Sequence, residues 1–104
     1  MARILSLAET QAMLADPPEG LVVLDVRTPE EVAGGTLPDA LVIDIHEPDF
    51  PERVAQLDRD VPYLVYCKAG GRSANAAAFM EANGFTDVSD FGGGWMAWAD
   101  AGLG

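Results

Sequence analysis

The segment Val65-Tyr66-Cys67-Lys68-Ala69-Gly70-Gly71-Arg72-Ser73-Ala74 decides how the rest of the chain is read. Tyr63 to Tyr66 is an unbroken apolar run, the pattern of a strand covered on both faces rather than one alternating between core and water. Cys67 follows at the carboxyl end of that run. Gly70 and Gly71 allow a tight turn, and a helix is expected from about Arg72 to Asn83. Its early turns carry Ala74, Ala76, Ala77 and Ala78, small enough to bring a helix close to a sheet, and Phe79 and Met80 then add bulk. Gly84 suits the left-handed residue that closes a helix, with Phe85 folding back onto the last turn. Strand, short loop and helix form the unit of an open α/β sheet, where ligands bind outside the carboxyl ends of the strands.

The flanking sequence repeats this alternation. Ser6-Leu7-Ala8-Glu9 has the spacing of a helix capping box, and Asp16-Pro17-Pro18 stops that helix near Ala15. Leu21 to Leu24 is a second apolar run, ending in Asp25. Thr28-Pro29-Glu30-Glu31 is a second capping box, with Pro29 at the first helical position and Gly34-Gly35 as the stop. Ala40 to Ile43 reads as another strand, Phe50 to Leu57 as a short helix, and Val88 to Phe91 as a further strand. Gly92-Gly93-Gly94 leads into a last helix bearing Trp95, Met96 and Trp98, closed near Gly102. The pattern predicts a single α/β domain over residues 1–104 with a largely parallel sheet.

Composition narrows the function. Seventeen acids against six Lys plus Arg give a formal net charge of -11. Nucleic acids and anionic membrane surfaces demand clustered basic residues, so neither is expected as a partner. No segment has the length of a membrane span, and Met1 to Leu7 lacks the parts of a signal peptide, which points to the cytoplasm. No cofactor is expected: His, Cys and carboxylates nowhere take metal-ligand spacing, and no nucleotide phosphate loop occurs. His46 reads as a surface or loop residue. Trp95 and Trp98, three apart on one helix face, read as packing residues. Nothing demands more than a monomer.

The chemistry concentrates at Cys67. A lone cysteine is either an inert packing residue or a reactive thiol. Here the loop glycines can turn successive N–H groups toward one point, and the first helical turn adds unpaired donors and the positive end of the helix dipole. Lys68 and Arg72, two of the six basic residues, lie within five positions of the sulfur. These features predict a thiol pKa below the ordinary value of about 8.5 and a cradle for a second negative centre on the sulfur. A persulfide is such a species; an attacking oxyanion of sulfur or phosphorus is another. Two roles are open to Arg72, contact with substrate or an ion pair with a buried acid such as Asp25. Asp25 itself is expected to pair with Arg27 or Arg72, and Glu30 and Glu31 to serve as helix N-terminal charges.

Cys67-Lys68-Ala69-Gly70-Gly71-Arg72-Ser73 resembles the active-site loop of the rhodanese homology family, C-[KR]-x-G-x-R-S. Leu24-Asp25-Val26-Arg27-Thr28-Pro29-Glu30-Glu31, followed by Gly35-Thr36-Leu37-Pro38-Asp39-Ala40, is similar to that family's N-terminal signature. Gly93-Gly94-Trp95-Met96-Ala97-Trp98-Ala99-Asp100-Ala101-Gly102-Leu103 is similar to its C-terminal one. The resemblance implies a rhodanese-like α/β fold, a central parallel sheet of about five strands flanked by helices on both faces. It implies sulfur transfer, from an anionic donor such as thiosulfate to cyanide or a thiol, with a partner protein's thiol among the acceptors. Cys67 would be the catalytic nucleophile and carry the persulfide. Lys68, Ala69, Gly70, Gly71, Arg72 and Ser73 would bind substrate, with Asp25 and Arg27 in support. Thr36 and Asp39 stand where the family usually has His and Gly, a departure expected to touch only turn geometry. With the last motif close to Gly104, no second such domain is expected.

Two other classes compete. Some phosphatases share the fold, but their loops place five residues between Cys and Arg, whereas Lys68, Ala69, Gly70 and Gly71 are four. The shorter loop suits one sulfur atom better than a phosphoryl group, which ranks phosphatase or arsenate reduction below sulfur transfer. A non-catalytic binding or regulatory module is the other alternative, and the presence of Cys67 weighs against it.

Overall fold

The computed structural model describes residues 2–104. Ten elements alternate along the chain: β1 (Arg3–Leu5), α1 (Leu7–Ala15), β2 (Val22–Asp25), α2 (Pro29–Val32), β3 (Leu41–Val42), α3 (Phe50–Ala55), β4 (Tyr63–Tyr66), α4 (Gly71–Ala82), β5 (Val88–Phe91) and α5 (Gly94–Asp100). The strands form one five-stranded sheet in the order β1-β5-β4-β2-β3, with every pairing parallel. The α/β class and the parallel five-stranded sheet inferred above are therefore present.

Both capping boxes form. Ser6 Oγ accepts from the Glu9 N–H at 3.1 Å while Glu9 returns a carboxylate oxygen to the Ser6 N–H at 2.9 Å. Thr28 and Glu31 do the same at the start of α2, with Pro29 in its first turn. At the far end of α4 the Phe85 N–H donates to Met80 O at 3.1 Å, the closing bond of a Schellman cap.

The apolar runs are continuous because both sheet faces are covered. Leu24, Val26, Val65 and Val88 point to one side, where Phe50 and Val54 of α3 and Ala76, Ala77 and Met80 of α4 complete the core. Leu5, Val23, Leu64, Tyr66 and Phe91 point to the other, against Trp98 of α5 and the partly buried Leu7, Met13 and Leu14 of α1. All four residues of β4 are buried, as its place between β5 and β2 demands.

Two elements differ from expectation. β1 was not signalled by an apolar run, because two of its three residues are exposed on the sheet edge. The run Ala40 to Ile43 yields only the two-residue β3, since it too is an edge strand and pairs on one side alone. Asp39 adopts φ +57, the left-handed conformation that explains why a glycine is usual at this turn.

Candidate active site

β4 lies inside the sheet, and the chain leaves its carboxyl end as Cys67 before entering α4 four residues later. The connecting loop is held from below by the last strand and helix. Gly70 has φ +106, and a Cβ there would come within 2.6 Å of Gly92 O. Gly94, at φ +60, packs on the carbonyls of Cys67 and Lys68, so a side chain would strike the same loop. The Trp95 N–H donates to Cys67 O at 2.8 Å and the Met96 N–H to Lys68 O at 3.1 Å. The glycines of the two segments thus bring the α5 N-terminus against the backbone of the thiol-bearing residue, and its free N–H groups hold that backbone in place.

The sulfur is buried, at 1% exposure. The Gly70 N–H donates to Sγ at 3.0 Å, and the Cys67 thiol donates to Ser73 Oγ at 3.4 Å, while the Ser73 hydroxyl donates to Gly70 O at 3.2 Å. Burial pushes the Cys67 pKa up. The Ser73 hydroxyl and the backbone N–H groups of Ser73, Gly70 and Ala69 outweigh it and leave the thiol below its ordinary value. The direction and the backbone donors match the expectation drawn from the loop, and the Ser73 hydroxyl adds to them.

The Arg72 guanidinium makes a two-point ion pair with Glu31 of α2, at 2.7 and 2.9 Å. Of the two roles open to Arg72, the ion pair is the one formed, with Glu31 instead of Asp25. Glu31 therefore does more than cap α2. The Arg72 guanidinium first, then the N–H and hydroxyl of Thr28, overcome the effect of burial and hold its carboxyl at a pKa of about 2. Lys68 and Ala69 are exposed on the loop, and Gly71 opens α4.

Beneath this layer lies a second network. Asp25 and Arg27 are fully buried, with the Arg27 guanidinium donating to both Asp25 oxygens at distances from 2.7 to 3.1 Å. The Tyr66 hydroxyl donates to Asp25 Oδ2 at 2.6 Å and accepts from the Leu37 N–H at 3.0 Å. Arg27 also donates to Gly35 O at 2.7 Å and sits over the Tyr66 and Trp95 rings at 5.5 and 5.0 Å. Every charge and donor is matched, which is the condition for a buried ion pair to be tolerated. Through Asp25 the network fixes the residue immediately before Cys67 from 41 positions away in sequence.

Sequence reasoning did not single out Glu31 as the brace of Arg72 or Tyr66 as the clamp on Asp25. A tyrosine at the end of a fully buried strand was the available signal for Tyr66, since a buried phenol needs a partner. His46 stands apart, its side chain 60% exposed and paired with Asp44. A surface cavity of about 430 Å3, lined by Leu14, Pro17, Pro18, Leu21 and Pro38, lies at the opposite, amino-terminal ends of β2 and β3.

The model of the rhodanese-like domain family matches residues 6–101. A protein named sulfurtransferase from Allochromatium vinosum is 39% identical over 90 residues, spanning 86% of this chain and 81% of its own. A thiosulfate sulfurtransferase GlpE of Pseudomonas putida is 35% identical over 99 residues, 94% of this chain and 87% of its own. Among solved structures, the human single-domain sulfurtransferase TSTD1 superposes with a TM-score of 0.78 at 25% identity, covering 96% of this chain and 97% of that one. A rhodanese-like domain protein from Staphylococcus aureus does so at 0.80 and 32%, covering 94% and 91%. This chain belongs to the rhodanese-like domain family. Within that family it is an enzyme of the sulfurtransferase type.

Proposed function

We propose that Cys67 is the nucleophile of a double-displacement sulfur transfer and carries the sulfur as a persulfide. The observation that carries this reading is the convergence of the Gly70 N–H and the Ser73 hydroxyl on a buried sulfur whose pKa is lowered. The Cys67 thiolate attacks the outer sulfur of a donor such as thiosulfate. The S–S bond of the donor breaks, sulfite leaves with the bonding pair, and Cys–S–S⁻ remains. Cyanide or a thiolate, on a small molecule or a partner protein, then attacks the terminal sulfur and restores the Cys67 thiolate. The loop amides of Ala69 to Ser73 stabilise the charge carried on sulfur at each stage. Lys68, exposed at the rim, attracts the anionic donor. Arg72 holds the loop through Glu31, and Asp25 and Arg27 hold the strand end beneath it.

The reading takes residues 1–104 as one domain that works as a cytoplasmic monomer. Its support is the acidic composition, the lone thiol and the fact that, among the described residues, no helix is long and apolar enough to cross a membrane. The test is thiocyanate formation from thiosulfate and cyanide by the intact chain against its Cys67→Ser variant, with mass spectrometry after donor treatment alone. The expected result is turnover only with Cys67 and a mass gain of one sulfur atom on that residue. Equal rates for the two proteins would end the enzymatic reading with this donor. Absence of the sulfur adduct with every donor tried would favour a binding module, and hydrolysis of an aryl phosphate a phosphatase.

A further inference from the structure

Between β1, β5 and α4 lies a cleft of about 140 Å3, lined by Ile4, Ala74, Ala77, Ala78, Glu81 and Asp90. Side chains alternate across a sheet. Val88 of β5 packs on the α4 side and Phe91 on the other, so Asp90 points toward α4. It stands in register between Ile4 of β1 and Val65 of β4. Asp90 is 4% exposed, and its Oδ1 is buried with no hydrogen-bond partner among the described residues.

A buried acceptor without a donor forfeits the hydrogen bonds it makes in water. The cleft supplies no replacement. Its alanines and Ile4 end in methyl groups, and Glu81 is itself an acid. The Ser73 hydroxyl of α4 donates to Gly70 O at 3.2 Å. Arg3 turns to the opposite face and donates to Asp87 and Ser89 at 3.1 and 3.0 Å, while Arg72 is held by Glu31.

Shape and charge together select an occupant. The volume is well below the roughly 300–1,000 Å3 of sites for drug-sized ligands, so the cleft takes one short chain. Methyl-lined walls offer a water molecule few partners but suit an alkyl stem. The acid at the base calls for a cation with donors. A primary ammonium carries three N–H donors on a compact head, narrower than the planar fork of a guanidinium. The carboxyl torsion of an aspartate is soft, so a small turn presents Oδ1 to that head.

We propose that this cleft binds a primary ammonium on a short alkyl stem, with the Asp90 carboxylate as its counter-ion and Ala74, Ala77 and Ala78 against the stem. A free alkylamine and a lysine side chain both have this chemistry. The cleft does not include Cys67, and binding there is independent of the role of the thiol.

The experiment is an NMR titration of the full chain at pH 7 with n-butylammonium chloride and, separately, with a lysine blocked at its amino and carboxyl groups. The methyl groups of Ile4, Ala74, Ala77 and Ala78 are the reporters. Saturable shifts confined to these methyls are expected. Saturation by butylammonium alone assigns the site to free amines, and saturation by the blocked lysine as well admits a protein side chain. Asp90→Asn keeps the shape and removes the charge, and should weaken butylammonium binding about tenfold or more. Neutral n-butanol should bind more weakly by a similar factor. Ala78→Leu fills the cleft from an exposed helix position, leaves Asp90 in place and should abolish binding. Failure of both amines to shift the reporter methyls overturns the proposal, as does unchanged affinity in Asp90→Asn or equal binding of butanol. Shifts spread over the acidic surface also overturn it, since they mark unspecific attraction to a chain of net charge -11.

Discussion

Ser73 makes the largest single favourable contribution to the ionised form of Cys67, through both its hydroxyl and its N–H. Removing the hydroxyl alone leaves burial opposed by backbone donors only. Ser73→Ala is therefore expected to raise the Cys67 pKa, and the thiolate fraction at neutral pH falls with it. A hydrogen bond to a charged group contributes about 1.5–3 kcal/mol, so alkylation at pH 7 should slow about tenfold or more. The same rate measured well above the thiol pKa should change little, which separates a titration effect from lost access. Cys67 and its loop were legible in the sequence because strand end, glycine turn and helix start are local signals. The backbone donors were legible with them, but the Ser73 hydroxyl was not, since the direction of a hydroxyl is not written in composition.

At the scale of elements, one ion pair joins α2 to α4. Glu31 titrates near 2 in the folded chain against about 4.5 when unfolded. Its folded pKa is depressed, so the stability it contributes is present above pH 4.5 and is lost as the pH falls toward 2. Both side chains are about one-quarter exposed, and screening reduces the contribution to about 1 kcal/mol. Glu31→Gln should lower the melting temperature at pH 7 by a few degrees and flatten its decline through the acid range. Thermal melts of the two proteins between pH 7 and pH 2.5 check this. Both capping boxes and the glycine closure of α4 could be read locally, because each is satisfied within a few residues. The partner of Arg72 could not, because it lies 41 positions away and the sequence offered several acids. The edge strand β1 was faint for a different reason: two of its three residues lie in water, so it leaves no apolar run.

For the molecule as a whole, the buried triangle of Asp25, Arg27 and Tyr66 ties the amino-terminal half to the strand that ends at Cys67. Asp25→Asn leaves the Arg27 guanidinium buried without a countercharge, and breaking such a pair costs about 3–5 kcal/mol. Urea denaturation should show a lower midpoint with an unchanged slope. The last sheet contact to consider is β1 against β5. It is three residues long, and it joins Arg3 to Ser89 across 86 positions of chain. Closing so long a loop is entropically unfavourable, and so few residues return little until the remaining strands have assembled. Folding should therefore cross its barrier before this strand docks. In kinetic terms, Arg3→Ala is expected to leave the refolding rate nearly unchanged and to speed unfolding, a φ-value near zero in a stopped-flow chevron. The outermost strand would then be the first to detach and the last to return, a frayed margin on a sheet whose centre holds the reactive sulfur.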